Sequence, residues 1–244
     1  MFRNQPPATG LFIGFAFFIF LIFLFIFVQV ELLTTAFSKL GLTSFQGFII
    51  LVLTLIGSRI NLPVYKTGRL VTPPMAQAMR FGSMGMQFPQ QPEYEAERDL
   101  QEQVIAVNVG GCIIPILLSV WLYTRLDVEF VSSTGQIAVV LACIGVVAAV
   151  CFKLARPVSG VGISVPALIP PVVTALVAIL LVPQPETPVV AYIAGSLGTL
   201  IGADLIHLFY PQTVRQLDAP LLAIGGAGTF MSIFLAGILA VLIA

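Results

Sequence analysis

Charge is scarce in this chain. Only 9% of its 244 residues are Asp, Glu, Lys or Arg, where a soluble domain carries about a quarter. An ordinary water-soluble globule is thereby excluded. The 11 basic and 11 acidic residues balance. Nucleic-acid binding favours concentrated positive charge, so nucleic acid is not an expected partner. Histidine occurs once, at His207, which argues against a dedicated zinc site. The three cysteines, Cys112, Cys143 and Cys151, contain no C-x-x-C pair, and an odd count gives no disulfide framework. No nucleotide-binding loop, haem motif or cofactor fingerprint is visible. The cofactor question stays open, because pigments and lipids held by packing leave no fingerprint.

What is present is hydrocarbon. Hydrophobic residues make up 58% of the chain, with a mean hydropathy of +1.05. A transmembrane helix needs about 20 apolar residues. Seven segments qualify, at about 11–33, 44–63, 104–124, 134–154, 161–183, 189–210 and 220–243. The expected fold is therefore all-α, a single-domain bundle of seven transmembrane helices over 1–244. Its first span is crowded with Phe and has no small-residue cleavage signature, so it is read as a retained anchor.

The basic residues orient this bundle. With seven spans, one side holds the N-terminus and the loops after spans two, four and six. That side carries Arg3, Arg59, Lys66, Arg69, Arg80, Arg98, Lys153, Arg156 and Arg215, and the other carries only Lys39 and Arg125. Positive charge marks the cytoplasmic side. The N-terminus is then cytoplasmic and the C-terminus outside, in a prokaryotic inner, plasma or intracellular membrane. The one long connection, about 64–103, is cytoplasmic. It has a Met-rich first half, and Glu93–Glu102 reads as a short helix leading into span three. A loop of that length is either a linker or a docking surface.

Asp204 lies inside the sixth span. An intramembrane carboxylate is costly, and it persists when paired, protonated or turned to a polar cavity. Counting from Tyr210, it lies roughly 9 Å below the cytoplasmic end. Gly225, Gly226, Gly228 and Thr229 of span seven fall at a similar depth. Asn108, Gly110, Gly111 and Pro115 of span three fall there too, as do Arg59 and Asn61 at the end of span two. Glycine permits close backbone approach, and Gly198-x-x-x-Gly202 has small-xxx-small spacing. The seven glycines Gly110, Gly111, Gly198, Gly202, Gly225, Gly226 and Gly228 are read as helix-packing positions. Asp204, His207, Asn108, Asn61, Arg59 and Thr229 are read as a polar intramembrane cluster that opens toward the cytoplasm.

Several chemistries can be weighed against these residues. Asp204 and His207 stand at i and i+3, which on an α-helix share a face. An ion pair or a proton relay is then open, as is a simple interfacial His. A Ser–His dyad is excluded, because Ser196 and His207 lie roughly 16 Å apart along one helix. An intramembrane aspartyl hydrolase needs two acids sharing a proton. Asp204 has no second acid well inside any span, since Glu31 stands near the end of the first, and Asp218 reads as a helix cap before Pro220.

Four stretches carry a family likeness: Val107-Asn-Val-Gly-Gly111 with Pro115, Gly160-Val-Gly-Ile-Ser-Val-Pro166 with Pro170-Pro171, Gly198-Thr-Leu-Ile-Gly-Ala-Asp204-Leu205, and Ile224-Gly-Gly-Ala-Gly-Thr-Phe230. Over about 45–244 the chain resembles the prokaryotic multi-pass membrane family catalogued as domain of unknown function 1614. In that family Gly-Thr-Phe is typically followed by Asp-Gly, whereas Met231-Ser232 stand here. The resemblance therefore implies a diverged member without a second intramembrane acid. It brings no established activity.

Three functions follow as expectations. The first is a non-catalytic subunit or assembly partner of a larger membrane complex, its neighbours being the lipid bilayer and other subunits or further copies of itself. The second is a small-solute or ion/proton transporter using Asp204. The third and weakest is an aspartyl-type hydrolase.

Overall fold

The computed structural model describes residues 8–71, 100–126, 133–158, 162–210, 213, 217 and 219–244. Met75–Arg98, Arg215 and Asp218 lie outside the described residues. So do the first seven positions of the chain and residues 159–161.

Seven helices are present among the described residues. They are α1 (Ala8–Lys39), α2 (Ser44–Gly57), α3 (Val109–Tyr123), α4 (Ser133–Leu154), α5 (Ile169–Leu181), α6 (Thr187–Phe209) and α7 (Phe230–Ile243). Three of them, α1, α4 and α6, are long and apolar enough to cross a membrane. The other four are shorter than the apolar runs that contain them. At 1.5 Å per residue a helix of 14 residues, such as α2 or α7, spans roughly 21 Å, against about 30 Å of hydrocarbon.

The missing length is β-structure, which corrects the all-α expectation. Strand β1 (Asn61–Val71) follows α2, and β2 (Gln101–Asn108) runs directly into α3. β3 (Arg156–Val158) follows α4, β4 (Gly162–Ser164) precedes α5, and β5 (Leu221–Ile224) precedes α7. β1 pairs antiparallel with β2, β2 pairs parallel with β5, and β3 and β4 form a separate hairpin. β2 and β5 are parallel because each leads into a helix running the same way. The 64–103 connection thus begins and ends as strands. Leu100–Glu102 belongs to no helix, since Gln101 and Glu102 open β2. A short apolar run gives the same sequence signal whether it is a buried strand or a helix turn.

Local chemistry sets the element ends. Thr43 and Gln46 form a capping box at α2: Gln46 N–H donates to Thr43 Oγ1 (3.3 Å), and Thr43 N–H donates to Gln46 Oε1 (2.9 Å). Prolines occupy the first turns of α5 and α6, where a missing N–H costs no helical bond. Gly68, at φ +72°, sits in a register shift of β1 opposite β2, as a bulge requires.

α6 is the buried axis, with most of its outer surface covered, whereas α1 is exposed on every face over 14–32. α6 meets α4 where Gly198 faces Val147 and Gly202 faces Ala148. It meets α7 where Gly195 faces Ala236 and Gly237 faces Tyr192. A Cβ at any of these glycines would strike a neighbour, so the helices approach at backbone distance. At the end away from the sheet, Lys39 Nζ donates to the carbonyls of Val241 (3.3 Å) and Leu242 (3.2 Å). Gln184 Nε2 donates to the Ala244 carbonyl there at 2.9 Å. The tail of α1, the α5–α6 turn and the last residues of α7 therefore meet at one end. All five strands gather at the other.

Candidate functional site

Asp204 stands at the sheet-bearing end of α6, within a wide π-type turn at Leu200–Leu205. Such turns add a residue to the helical circuit and are frequent at functional sites. The carboxylate points toward the β5–α7 connection. Its Oδ2 accepts from the Gly225 N–H and from Thr229 Oγ1 (2.8 Å). Gly225 holds φ +70°, a left-handed conformation that L side chains rarely adopt. Its backbone also lies against that of Gly111, closely enough that a Cβ on either would clash. Two glycines thus let α3 and the β5–α7 turn touch, and that contact presents the Gly225 N–H to Asp204.

Asp204 is only 3% exposed. Its Oδ1 accepts no hydrogen bond from the described residues. This residue lines a cavity of about 140 Å³, which has room for several waters. Thr229 and Gly226 line it beside the carboxylate, Ile163 comes from β4, and Leu208 comes from the next turn of α6. Leu222 and Leu217 complete the apolar part of the wall.

Asn61 joins this cavity to a second polar group. Asn108 Nδ2 donates to Asn61 Oδ1 (2.9 Å) and to the Ser58 carbonyl (2.7 Å), while its Oδ1 accepts from Gly111 N–H (2.8 Å). Asn108 therefore spends its whole amide clamping the end of α2 to the start of α3, and Gly110 lets α3 lie against the backbone of Thr54 and Ser58. Asn61 accepts that bond and also stands in the cavity wall. Gly226 and Gly228 close the turn, the first against Ala223 and the second against Ile163 of β4.

The remaining members of the sequence cluster lie elsewhere. His207 does not meet Asp204. Its Nε2 lies 3.0 Å from the Phe152 carbonyl on α4, and its ring packs on Phe152 at 4.7 Å. Its buried Nδ1 has no partner among the described residues. The i,i+3 expectation assumed an ordinary α-turn, and the π turn changes the angular spacing on which it rests. Arg59 is exposed and makes no ion pair with Asp204. Met231 is exposed, and Ser232 donates to the Val165 carbonyl at 3.0 Å. Neither residue lines the Asp204 cavity, so an acid at position 231 would not join Asp204 in its wall. Among the described residues no three His, Cys, Asp or Glu side chains stand together as a metal site would need.

Gln103 is a buried polar position that sequence reasoning misses. It is fully buried on β2, and its Nε2 donates to the carbonyls of Leu217 (2.8 Å) and Ala219 (3.0 Å). It ties the central strand to the segment that leads into β5. A polar residue at an inward strand position carries the signal, which is lost when 64–103 is read as a loop.

A buried carboxylate in a cavity at one end of a glycine-packed helical bundle, with three helices long and apolar enough to cross a membrane, defines the class. The chain belongs to the family described as "Protein of unknown function (DUF1614)", whose model matches residues 55–243. No curated protein and no solved structure matches it. The match covers the sheet, the cavity and helices α3 to α7, and it leaves out α1.

Proposed function

We propose that this chain is a seven-span membrane protein that takes a small solute into the Asp204 cavity from the sheet-bearing, cytoplasmic end, in the manner of a transporter. The observation that carries this reading is a nearly buried carboxylate in the wall of an open volume, with no partner for its Oδ1 among the described residues. A carboxylate kept only for packing would have both oxygens bonded within the protein. Intramembrane acids that line cavities mark solute and proton paths. The alternation of chain ends supports the seven-span topology, with Lys39, Gln184 and Ala244 grouped at one end and every strand at the other.

The test is thiol labelling at Ala227, an exposed residue in the cavity wall. The three native cysteines are buried, so the unmodified chain is the background. In sealed vesicles of both orientations, Ala227→Cys should react with a membrane-impermeant maleimide from the cytoplasmic side. Failure to label the folded protein from either side would mean the cavity is shut to water, and the reading falls.

A second reading, that the chain is a subunit of a larger complex, is favoured by α1. Its Phe side chains, such as Phe17, Phe20 and Phe23, are exposed around the whole helix. Native mass after mild detergent extraction separates the two: a defined hetero-assembly supports the subunit, and a monomer or homo-oligomer removes it.

A further inference from the structure

We propose that the ligand of the Asp204 cavity is a small organic cation, a primary ammonium carrying a short hydrocarbon chain. This rests on the reading of the cavity as a solute site and adds the chemistry of the solute. Three observations lead to it.

The first is charge. Asp204 accepts two hydrogen bonds from neutral donors on Oδ2 and has no cationic partner among the described residues. His207 is turned to Phe152, and Arg59 is exposed. Oδ1, without a partner among the described residues, is an acceptor that a positively charged donor satisfies best, since charge-assisted hydrogen bonds are about twice as strong as neutral ones.

The second is the rest of the wall. Ile163, Leu208, Leu217, Leu221 and Leu222 supply its apolar side, and Asn61, Thr229 and small residues line the remainder. A bare metal cation replaces its hydration shell with several oxygens, and among the described residues no group of three His, Cys, Asp or Glu stands there to hold one. An alkylammonium asks for one strong acceptor at its head and apolar surface along its chain. That is the division the cavity makes between Asp204 and its leucines.

The third is size. About 140 Å³ is below the range of drug-sized sites, roughly 300–1,000 Å³. A chain of a few carbons fits that volume.

The experiment measures thermal unfolding of the detergent-purified full chain, with Asp204→Asn and Ala227→Phe beside it. Asparagine keeps an acceptor for Gly225 and Thr229 and removes the charge. Phenylalanine at 227 obstructs the cavity while leaving Asp204 untouched, so it serves if Asp204→Asn does not fold. The probes are ethylammonium, n-butylammonium, sodium, potassium and neutral butyramide, at constant ionic strength. A ligand that binds only the folded state raises the midpoint in a saturable way. The expected result is such a rise of several degrees with the two ammonium ions in the wild type, and none in either variant.

Equal shifts in all three proteins would be a solvent effect and would overturn the proposal. A shift with sodium or potassium matching that with the amines would assign an inorganic cation and overturn the organic one. A shift with butyramide alone, abolished by Ala227→Phe, would overturn the charge assignment while keeping the solute site. Silence from every probe, with Ala227→Cys labelled, overturns the amine and leaves the solute reading standing. Silence without labelling removes both.

Discussion

Thr229 and Gly225 share one oxygen of Asp204, and this sharing makes the three residues a single unit. Removing the carboxylate orphans the Gly225 N–H and leaves Thr229 Oγ1 only the Gly226 carbonyl, at 3.4 Å. Asp204→Ala is expected to destabilise by about 1–3 kcal/mol or more, the cost of an unsatisfied buried donor. Thr229→Val removes only one bond and should cost about 1–2 kcal/mol. Denaturation of the purified protein ranks them. An Asp204→Ala variant as stable as the wild type would show that the hydrogen bonds to Oδ2 do not hold the β5–α7 turn. Much of this unit was legible in the sequence. An acid inside an apolar run stands out because burying it is costly, and depth counting put Gly225–Thr229 level with it. The direction of His207 was not legible. Only a change in helical pitch near Leu200–Leu205 sends its ring to Phe152, and no residue type announces that turn.

At the scale of elements, the glycines differ in what surrounds them. Gly111 lies against the Gly225 backbone, while Gly145 of α4 has open space where a Cβ would go. Gly111→Ala should therefore overpack the contact and destabilise by about 1–3 kcal/mol or more. Gly145→Ala should stabilise by up to about 1 kcal/mol through helix propensity. Opposite signs in thermal unfolding are the expected outcome, and equal effects would contradict the close approach. Helix positions were readable from the apolar runs, and their ends were not. The run 104–124 reads as one helix, yet Gln101–Asn108 is a strand and Val109–Tyr123 a helix. Asn108 stands at the junction, where its side chain caps the first helical turn through Gly111. A hydrophobic sequence that must be apolar in either form shows little of the period that would separate the two.

At the scale of the molecule, the strands occupy one end and the carboxylate cavity lies among them. The alternating charge pattern indicated which chain segments share that end. It carried nothing about strands pairing there, since β2 meets β5 across more than a hundred residues of chain. α1 joins this body only near Ala36, Phe37 and Leu40, which are buried, while Phe15 to Val28 stay exposed.

The short helices have a consequence for the lipid around them. Helices α2, α5 and α7 carry 13 or 14 residues each, so their hydrocarbon falls roughly 9–10 Å short of a bilayer core. A bilayer meeting them must thin locally, or the acyl chains must lie against backbone that belongs to strands. Thinning on that flank would bring the headgroup layer down toward Asp204. The protein would then deform its solvent, and its stability would track acyl-chain length. Reconstituted in short-chain phosphatidylcholine it should unfold at a higher temperature than in long-chain lipid, with α1, at 32 residues, tilting to accommodate the thinner sheet of hydrocarbon. A midpoint that rises with chain length instead would mean that the bilayer meets this molecule at full thickness.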